Sequence, residues 1–96
     1  MSMTKATEQE IQTFLSNQAG WSLADDKLHR TYTFRDFVQA FGFMTQAALY
    51  AERDGHHPEW CNVYNRVVVD LTTHEAGGIT EKDFRLAQQM DKIAGQ

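Results

Sequence analysis

The chain has 96 residues, a length typical of one domain, and we predict a single domain over residues 1–96. Thirteen acidic and nine basic side chains give a net charge of −4, which argues against a primary nucleic-acid binder, because such proteins normally present a basic face. Cys61 is the single cysteine, and the first ten residues lack the apolar core of a signal peptide. No apolar run approaches the roughly 20 residues of a membrane helix. We therefore expect a cytoplasmic protein that binds neither nucleic acid nor membrane.

The first predicted element is a helix over residues 7–17. Thr7 and Glu10 have the spacing of a capping box, and an apolar stripe follows, formed by Ile11, Phe14 and Leu15. A β-hairpin comes next, with a short strand at 21–23, a turn at 24–27 and a second strand at 28–34. In that second strand Leu28, Arg30, Tyr32 and Phe34 share a face, so Arg30 makes the apolar alternation imperfect.

The strongest periodic signal runs from Asp36 to Asp54 and predicts a long helix. Gly55 is placed to end it in the left-handed conformation, and Pro58 prevents the helix from resuming. The expected buried stripe has a spacing of three and four residues and comprises Phe37, Phe41, Met44 and Ala48, widened by Val38, Ala40, Ala47 and Leu49.

Two further strands are predicted at 60–64 and 66–73, followed by a loop at 76–78. The last helix begins at Thr80, which has capping-box spacing to Asp83. Its expected buried residues are Phe84, Ala87, Met90 and Ile93. The order of elements is α-β-β-α-β-β-α. We therefore predict an α+β fold, a four-stranded antiparallel sheet with three helices packed on one face.

Three of the four histidines, His56, His57 and His74, lie within a span of 19 residues. Histidine exchanges a proton near neutral pH, which makes such a cluster a candidate acid–base centre. His74 follows the last strand, so its position can come near the end of the long helix if that strand is central. Glu52 and Asp54 lie in the last helical turn, where negative charge is disfavoured, and one of them could tune a neighbouring histidine.

Two other interpretations compete with an acid–base centre. The histidines and Glu52 could bind zinc, but adjacent ligands on an extended segment point in opposite directions and the HExxH spacing is absent, so we predict no metal. The His56-His57-Pro58 segment could also be a solvated turn. His29 lies on a strand with no companion nearby and is interpreted as structural or exposed to solvent.

The run Glu52-x3-His56-His57-Pro58-x5-Tyr64-x9-His74-x8-Asp83 resembles the signature of the pterin-4a-carbinolamine dehydratases. The surrounding segments are also similar to that family, namely His56–Trp60, Asn62–Asn65, Phe41–Met44 and Thr73–Glu75. The likeness extends from about Trp21 to the last helix.

The resemblance implies an enzyme that removes water from 4a-hydroxytetrahydropterin to give quinonoid dihydropterin during tetrahydropterin recycling. It implies no cofactor, and a homodimer or homotetramer. It assigns His56, His57 and His74 to catalysis, with the acid and base roles left open. The residues that it places at the substrate are Glu52, Thr72, Thr73 and Glu75.

Several points stay open at this stage. Asp83 matches the signature, but its position in a helix cap is a sufficient local reason for an acidic residue. Gly55 stands where animal members often carry an acidic residue. Trp21 and Trp60 either wall the pocket or belong to the core. The alternative function is a protein-interaction module, since the animal branch of the family includes a dimerisation cofactor of a transcription factor.

Overall fold

The computed structural model describes residues 4–96. The elements follow the predicted order: α1 Glu8–Asn17, β1 Ser22–Ala24, β2 Lys27–Thr33, α2 Phe37–Asp54, β3 Glu59–Val63, β4 Arg66–Leu71, a 3₁₀ turn at His74–Ala76, and α3 Glu81–Ala94. The four strands form one antiparallel sheet in the order β1-β2-β4-β3. The predicted fold class is confirmed.

The connections of the sheet place the functional segments together. After β2 the chain runs through α2, enters the sheet again at the edge strand β3, and returns as β4 between β3 and β2. The end of α2 therefore leads directly into β3, and β4 runs antiparallel beside it. Because of this arrangement, the exit from α2 and the end of β4 meet at one end of the sheet.

The core lies between the helices and one face of the sheet. The strands β2 and β4 supply alternate residues to it, in keeping with the side-chain period of two, and these are Leu28, Tyr32, Val67, Val69 and Leu71. The helices contribute a matching buried set, Phe14, Ala40, Phe43, Ala47, Ala51, Leu86, Ala87 and Met90. Phe14 of α1 stacks on Phe84 of α3 at 4.7 Å between ring centroids, which joins the first helix to the last.

The imperfect alternation at Arg30 has a structural explanation. Its guanidinium faces the helices and donates to Asp91 of α3 at 2.8 Å, with both side chains 11% exposed. Asp91 also accepts hydrogen bonds from Trp21 Nε1, from Gln18 Nε2 and from the Tyr32 hydroxyl. A nearly buried carboxylate with this many donors is well compensated for its lost hydration, and here it joins α3 to the sheet.

The predicted buried stripe of α2 is wrong in part. The buried residues are Ala40, Phe43, Ala47 and Ala51. Met44 is half-buried, and the other residues of the predicted stripe are exposed, namely Phe37, Val38, Phe41, Ala48 and Leu49. This helix carries apolar residues around most of its circumference, so periodicity alone does not select one face. The three alanines allow close packing beside Phe43, and Val38 and Leu49 lie on the opposite side of the helix.

Smaller differences concern boundaries and the last helix. β4 ends at Leu71 rather than at residue 73, and Tyr64 has a φ of +50° in the turn after β3. In α3, Leu86 is buried although we did not predict it, while Phe84 and Ile93 are only partly buried. Within residues 4–96 no helix has the length and apolarity required to cross a membrane.

Candidate functional site

The backbone at the end of α2 fixes where the first histidine lies. Gly55 takes the left-handed conformation, with φ +65°, as its position predicted. The Gly55 N–H donates to the carbonyls of Ala51 and Glu52. The N–H of His56 also donates to the Ala51 carbonyl, at 3.0 Å. The helix is closed by these bonds, and His56 enters the following segment with a defined backbone position.

His56 is held by a buried carboxylate of α3. Its Nε2 lies 2.5 Å from Asp83 Oδ1, and the two residues are 8% and 0% exposed. The second oxygen of Asp83 accepts from the Thr80 backbone N–H at 2.9 Å and from the Thr73 hydroxyl at 2.8 Å. Asp83 therefore has the predicted capping role and also a contact with His56 that the sequence interpretation did not include.

His57 and its carboxylate lie at the surface. His57 Nε2 is 2.9 Å from Glu52 Oε1, and the two side chains are 62% and 82% exposed. The expectation that a carboxylate of the last turn of α2 meets a histidine is met by Glu52. Asp54, the other acidic residue of that turn, instead accepts from Arg53 Nε at 3.0 Å, and this contact lowers the pKa of the Asp54 carboxyl.

His74 has a carboxylate partner that we did not predict. Its Nε2 lies 2.9 Å from Oε2 of Glu59, the first residue of β3. Glu59 also accepts from Lys27 Nζ at 2.6 Å, and this bond is the main cause of a pKa below the ordinary value for Glu59. The sequence did contain a signal, since Glu59 follows the histidine pair by two residues at the start of a predicted strand.

The three candidate histidines thus share one chemical arrangement, a carboxylate oxygen at Nε2. Such a partner favours the tautomer with a proton on Nε2, which leaves Nδ1 to accept a proton when the ring is neutral or to donate one when it is charged. Two of these carboxylates also connect the segment after α2 with the segment after β4. Asp83 bonds both His56 and Thr73, and Glu59, which follows the histidine pair, bonds His74. The histidines themselves do not share a carboxylate.

The predicted substrate-binding residues near His74 differ in their availability. Every polar group of Thr73 is engaged: its hydroxyl with Asp83 and Thr80, and its backbone with Ala76 and Gly78. Thr72 is half-buried and Glu75 is exposed. The polar groups of Thr73 are therefore used within the protein, whereas the side chains of Thr72 and Glu75 are accessible to solvent.

A cavity of about 210 Å³ adjoins His56 on the side of α3. Its lining residues are Asp54, His56, Lys82, Arg85 and Leu86. His57 and His74 lie outside this cavity, on exposed surface. Of the three histidines, His56 therefore lines the cavity, and His57 and His74 lie at the surface.

The remaining candidate residues have other surroundings. Trp21 is buried and packs edge-on against Tyr32, so it belongs to the core, and Trp60 is half-buried against the same core. His29 contacts Asp70 through Nδ1 at 2.8 Å and is partly exposed. Within the part of the chain that the structure describes, no group of three or more His, Cys, Asp or Glu side chains has an arrangement that could hold a metal ion.

Comparison with known proteins decides the family. The family model described as pterin 4 alpha carbinolamine dehydratase matches residues 4–93. The chain belongs to this family. A relative from Solibacter usitatus, provisionally named a pterin-4-alpha-carbinolamine dehydratase, is 59% identical over 91 residues, covering 95% of this chain and 96% of the relative. A relative from Rhizobium johnstonii with the same provisional name is 50% identical over 98 residues, covering 100% of this chain and 97% of its own.

A solved structure agrees with this assignment. The crystal structure of a transcriptional coactivator/pterin dehydratase from Brucella melitensis superposes with a TM-score of 0.93 at 49% identity, covering 96% of this chain and 100% of that one. The predicted family is confirmed, and so is the predicted enzyme class, a carbon–oxygen lyase, to which dehydratases of this family belong.

Proposed function

We propose that this chain removes water from 4a-hydroxytetrahydropterin to give quinonoid dihydropterin, in tetrahydropterin recycling. The observation that carries the proposal is the shared geometry of His56, His57 and His74, each with a carboxylate at Nε2. Membership of the dehydratase family supports the same substrate.

The reaction requires one proton to be delivered and one to be removed. A general acid protonates the hydroxyl at C4a, the C4a–O bond breaks with its electron pair leaving on the oxygen, and water departs. A general base then takes a proton from the resulting cationic pterin ring, so that the products are water and neutral quinonoid dihydropterin. Imidazoles with Nδ1 available can serve both steps, and each step of this kind is typically worth a factor of about 10²–10⁴ in rate.

The surroundings of the histidines suggest a division of labour. His56 is the most constrained of them, because its partner Asp83 is buried and is itself held by Thr73 and by the start of α3. His57 and His74 are exposed, so a substrate can reach them from solvent. We propose that Thr72 and Glu75 hydrogen-bond the polar edge of the pterin and that Glu52 orients His57.

The test follows the decay of the 4a-carbinolamine in the presence of the protein and of its His56→Ala, His57→Ala and His74→Ala variants. His29→Ala is the matched control, since His29 also contacts a carboxylate but lies outside the site. We expect faster decay than in buffer for the wild type and the control, and losses of about 10²-fold or more for at least His56 and His74. Wild-type protein no faster than buffer would rule out the proposal.

We also propose that the chain forms a homodimer or homotetramer. The outward side of α2 supports this, because Val38 and Leu49 are 77% and 69% exposed. Phe37 and Phe41 are also exposed, with ring centroids 5.6 Å apart. Several large apolar side chains exposed on one helix are typical of an interface.

A second candidate function is a protein-interaction module that acts with a transcription factor. The same exposed side of α2 favours it, and the similar Brucella protein is a transcriptional coactivator/pterin dehydratase. The two functions are separable with His56→Ala, which should abolish dehydration and leave a surface-mediated interaction intact. Negligible dehydration by the wild type, together with a co-purifying transcription factor, would favour the second candidate.

A further inference from the structure

A row of charged side chains lies on the sheet face that is turned away from the helices. His29 of β2 is in register with Asp70 of β4, and Asp70 is in register with Glu59 of β3, so these three share a face. Lys27 lies two residues before His29 and joins the same row. The opposite face, with Leu28, is the core.

Glu59 uses its two oxygens for two different partners in this row. Oε1 accepts from Lys27 Nζ at 2.6 Å, and Oε2 contacts His74 Nε2 at 2.9 Å. To reach Glu59, the Lys27 side chain spans the segment just after β4, because the next residue, Leu28, is in register with Leu71, the last residue of that strand. The contact therefore links three separate segments: the start of β2, the start of β3 and the 3₁₀ turn that begins with His74.

His74 needs such a contact more than His56 does. The His74 side chain is 77% exposed, so little packing restrains its ring, whereas the His56 side chain is 9% exposed. A ring at the surface can rotate and exchange tautomers unless a hydrogen bond selects one of them. Glu59 is the carboxylate that makes this bond.

We propose that Glu59 is a positioning residue that fixes the orientation and tautomer of His74, and that Lys27 in turn holds Glu59 in place. The proposal rests on the function proposed above, in which His74 transfers a proton. Glu59 acts through His74 and does not itself contact the reacting atoms.

The charges around Glu59 are consistent with this role. The bond from Lys27 keeps the pKa of Glu59 below its ordinary value, so the carboxylate stays ionised over the range in which histidine titrates. Glu59, followed by Asp70 and Asp25, raises the pKa of Lys27, so the ammonium group stays charged as well. His29, the other histidine on this face, bonds to Asp70 and leaves Glu59 to His74.

The experiment compares Glu59→Gln with Asp70→Asn. The two substitutions remove one carboxylate charge each from neighbouring, register-paired positions, but only the first affects His74, because Asp70 contacts His29. We expect Glu59→Gln to lower kcat for carbinolamine dehydration about 10–100-fold with little change in KM, as for loss of an orienting partner. Asp70→Asn should stay within about twofold of the wild type. A smaller loss in kcat is expected for Lys27→Met, with recovery in Lys27→Arg.

A second measurement reads the His74 ring directly. The ring-nitrogen chemical shifts of ¹⁵N-labelled histidine report the tautomer, and we expect the Nε2–H form at His74 in the wild type and in Asp70→Asn. In Glu59→Gln, and to a smaller extent in Lys27→Met, the population should move toward the Nδ1–H form. Circular dichroism of each variant checks that the fold is retained.

The outcomes separate the two proposals. Equal kcat and an unchanged His74 tautomer in Glu59→Gln would overturn the positioning role, and so would equal losses in Glu59→Gln and Asp70→Asn. If the wild type does not accelerate dehydration, the proposed function fails, while the nitrogen shifts still test whether Glu59 sets the ring of His74. A tautomer change confined to Glu59→Gln and Lys27→Met supports the proposal.

Discussion

Asp83 and His56 form a buried pair in which one carboxylate serves two purposes. Oδ1 contacts His56 Nε2 at 2.5 Å, while Oδ2 caps the start of α3 through the Thr80 N–H at 2.9 Å. Because the cap fixes the rotamer of Asp83, the orientation of the histidine ring is tied to the first turn of α3. The stability of this helix end and the geometry of the site therefore depend on the same side chain.

The first prediction separates these two purposes. Asp83→Asn should lower kcat for carbinolamine dehydration about 10–100-fold, because an amide orients the His56 ring less strongly than a carboxylate. Glu10→Gln is the matched control, since Glu10 is the corresponding residue in the capping box of α1 and contacts no histidine. Glu10→Gln should change the stability in urea unfolding by less than about 0.5 kcal/mol, because glutamine at this position also completes a capping box. Asp83→Asn should lose about 1–3 kcal/mol, because its buried carboxylate also bonds His56 and Thr73. Equal kcat in the two variants would contradict a role for Asp83 beyond capping.

Local patterns of this kind could be predicted from the sequence, and contacts between distant segments could not. The capping boxes at Thr7 and Thr80 and the left-handed Gly55 each depend on a few neighbouring residues, and all three are present. The partners of His56 and His74 come from other elements, 27 and 15 residues away. Sequence spacing alone gives no distance between such residues.

The buried face of α2 shows a second limit. Its apolar residues surround most of the helix, so the choice of face is made by packing against the sheet and α3 rather than by periodicity. Three alanines and Phe43 are buried, while Phe41, an identical side chain on another side of the helix, is exposed. The Arg30–Asp91 ion pair has a similar origin, because a charged residue on an inward strand position is satisfied only when the helix that carries its partner is in place.

The second prediction concerns alkaline pH. Burial, and then the hydrogen bond to Asp91, raise the pKa of the Tyr32 hydroxyl above its ordinary value of 10.0. Above about pH 10 the unfolded chain loses this proton while the folded chain keeps it, so stability falls as the pH rises. Tyr32→Phe should be less stable than the wild type by about 1–3 kcal/mol at pH 8, and its stability should fall less steeply above pH 10.

Urea unfolding at pH 8 and pH 10.5 measures both effects. The control is Tyr64→Phe, which makes the same chemical change at a side chain that is 61% exposed. We expect this control to follow the wild type at both values of pH. A constant difference between wild type and Tyr32→Phe across this range would show that Tyr32 does not contribute to the alkaline loss.

The third prediction concerns two glycines of the α2 segment. An added Cβ would meet no atom within 4 Å at either Gly42 or Gly55, so a difference between them comes from the backbone. Gly55 has φ +65°, and Gly55→Ala should cost about 1–2 kcal/mol. Gly42 lies inside the helix, and Gly42→Ala should stabilise by about 0.5–1 kcal/mol.

Dehydration by the two glycine variants tests the link between the helix end and the site. Gly55→Ala should lower kcat because His56 is the next residue, whereas Gly42→Ala should retain the activity of the wild type. Urea midpoints that shift in the same direction for both variants would contradict the conformational explanation.

The last prediction concerns assembly through the exposed side of α2. Phe41 is 55% exposed, and Phe41→Lys places a charge in the apolar surface that it forms with Phe37. If this surface is buried between copies of the chain, the charge loses its hydration, and the assembly should dissociate to a smaller species in light scattering coupled to size exclusion.

The control is Thr31→Lys, which adds the same charge at an exposed position on the sheet face away from the helices. A wild type that is already monomeric at 100 μM, or a Phe41→Lys variant with the mass of the wild-type assembly, would exclude this surface as the interface. Carbinolamine dehydration by the dissociated variant should persist if the site is complete within one chain, since the carboxylates that contact His56, His57 and His74 all come from the same chain.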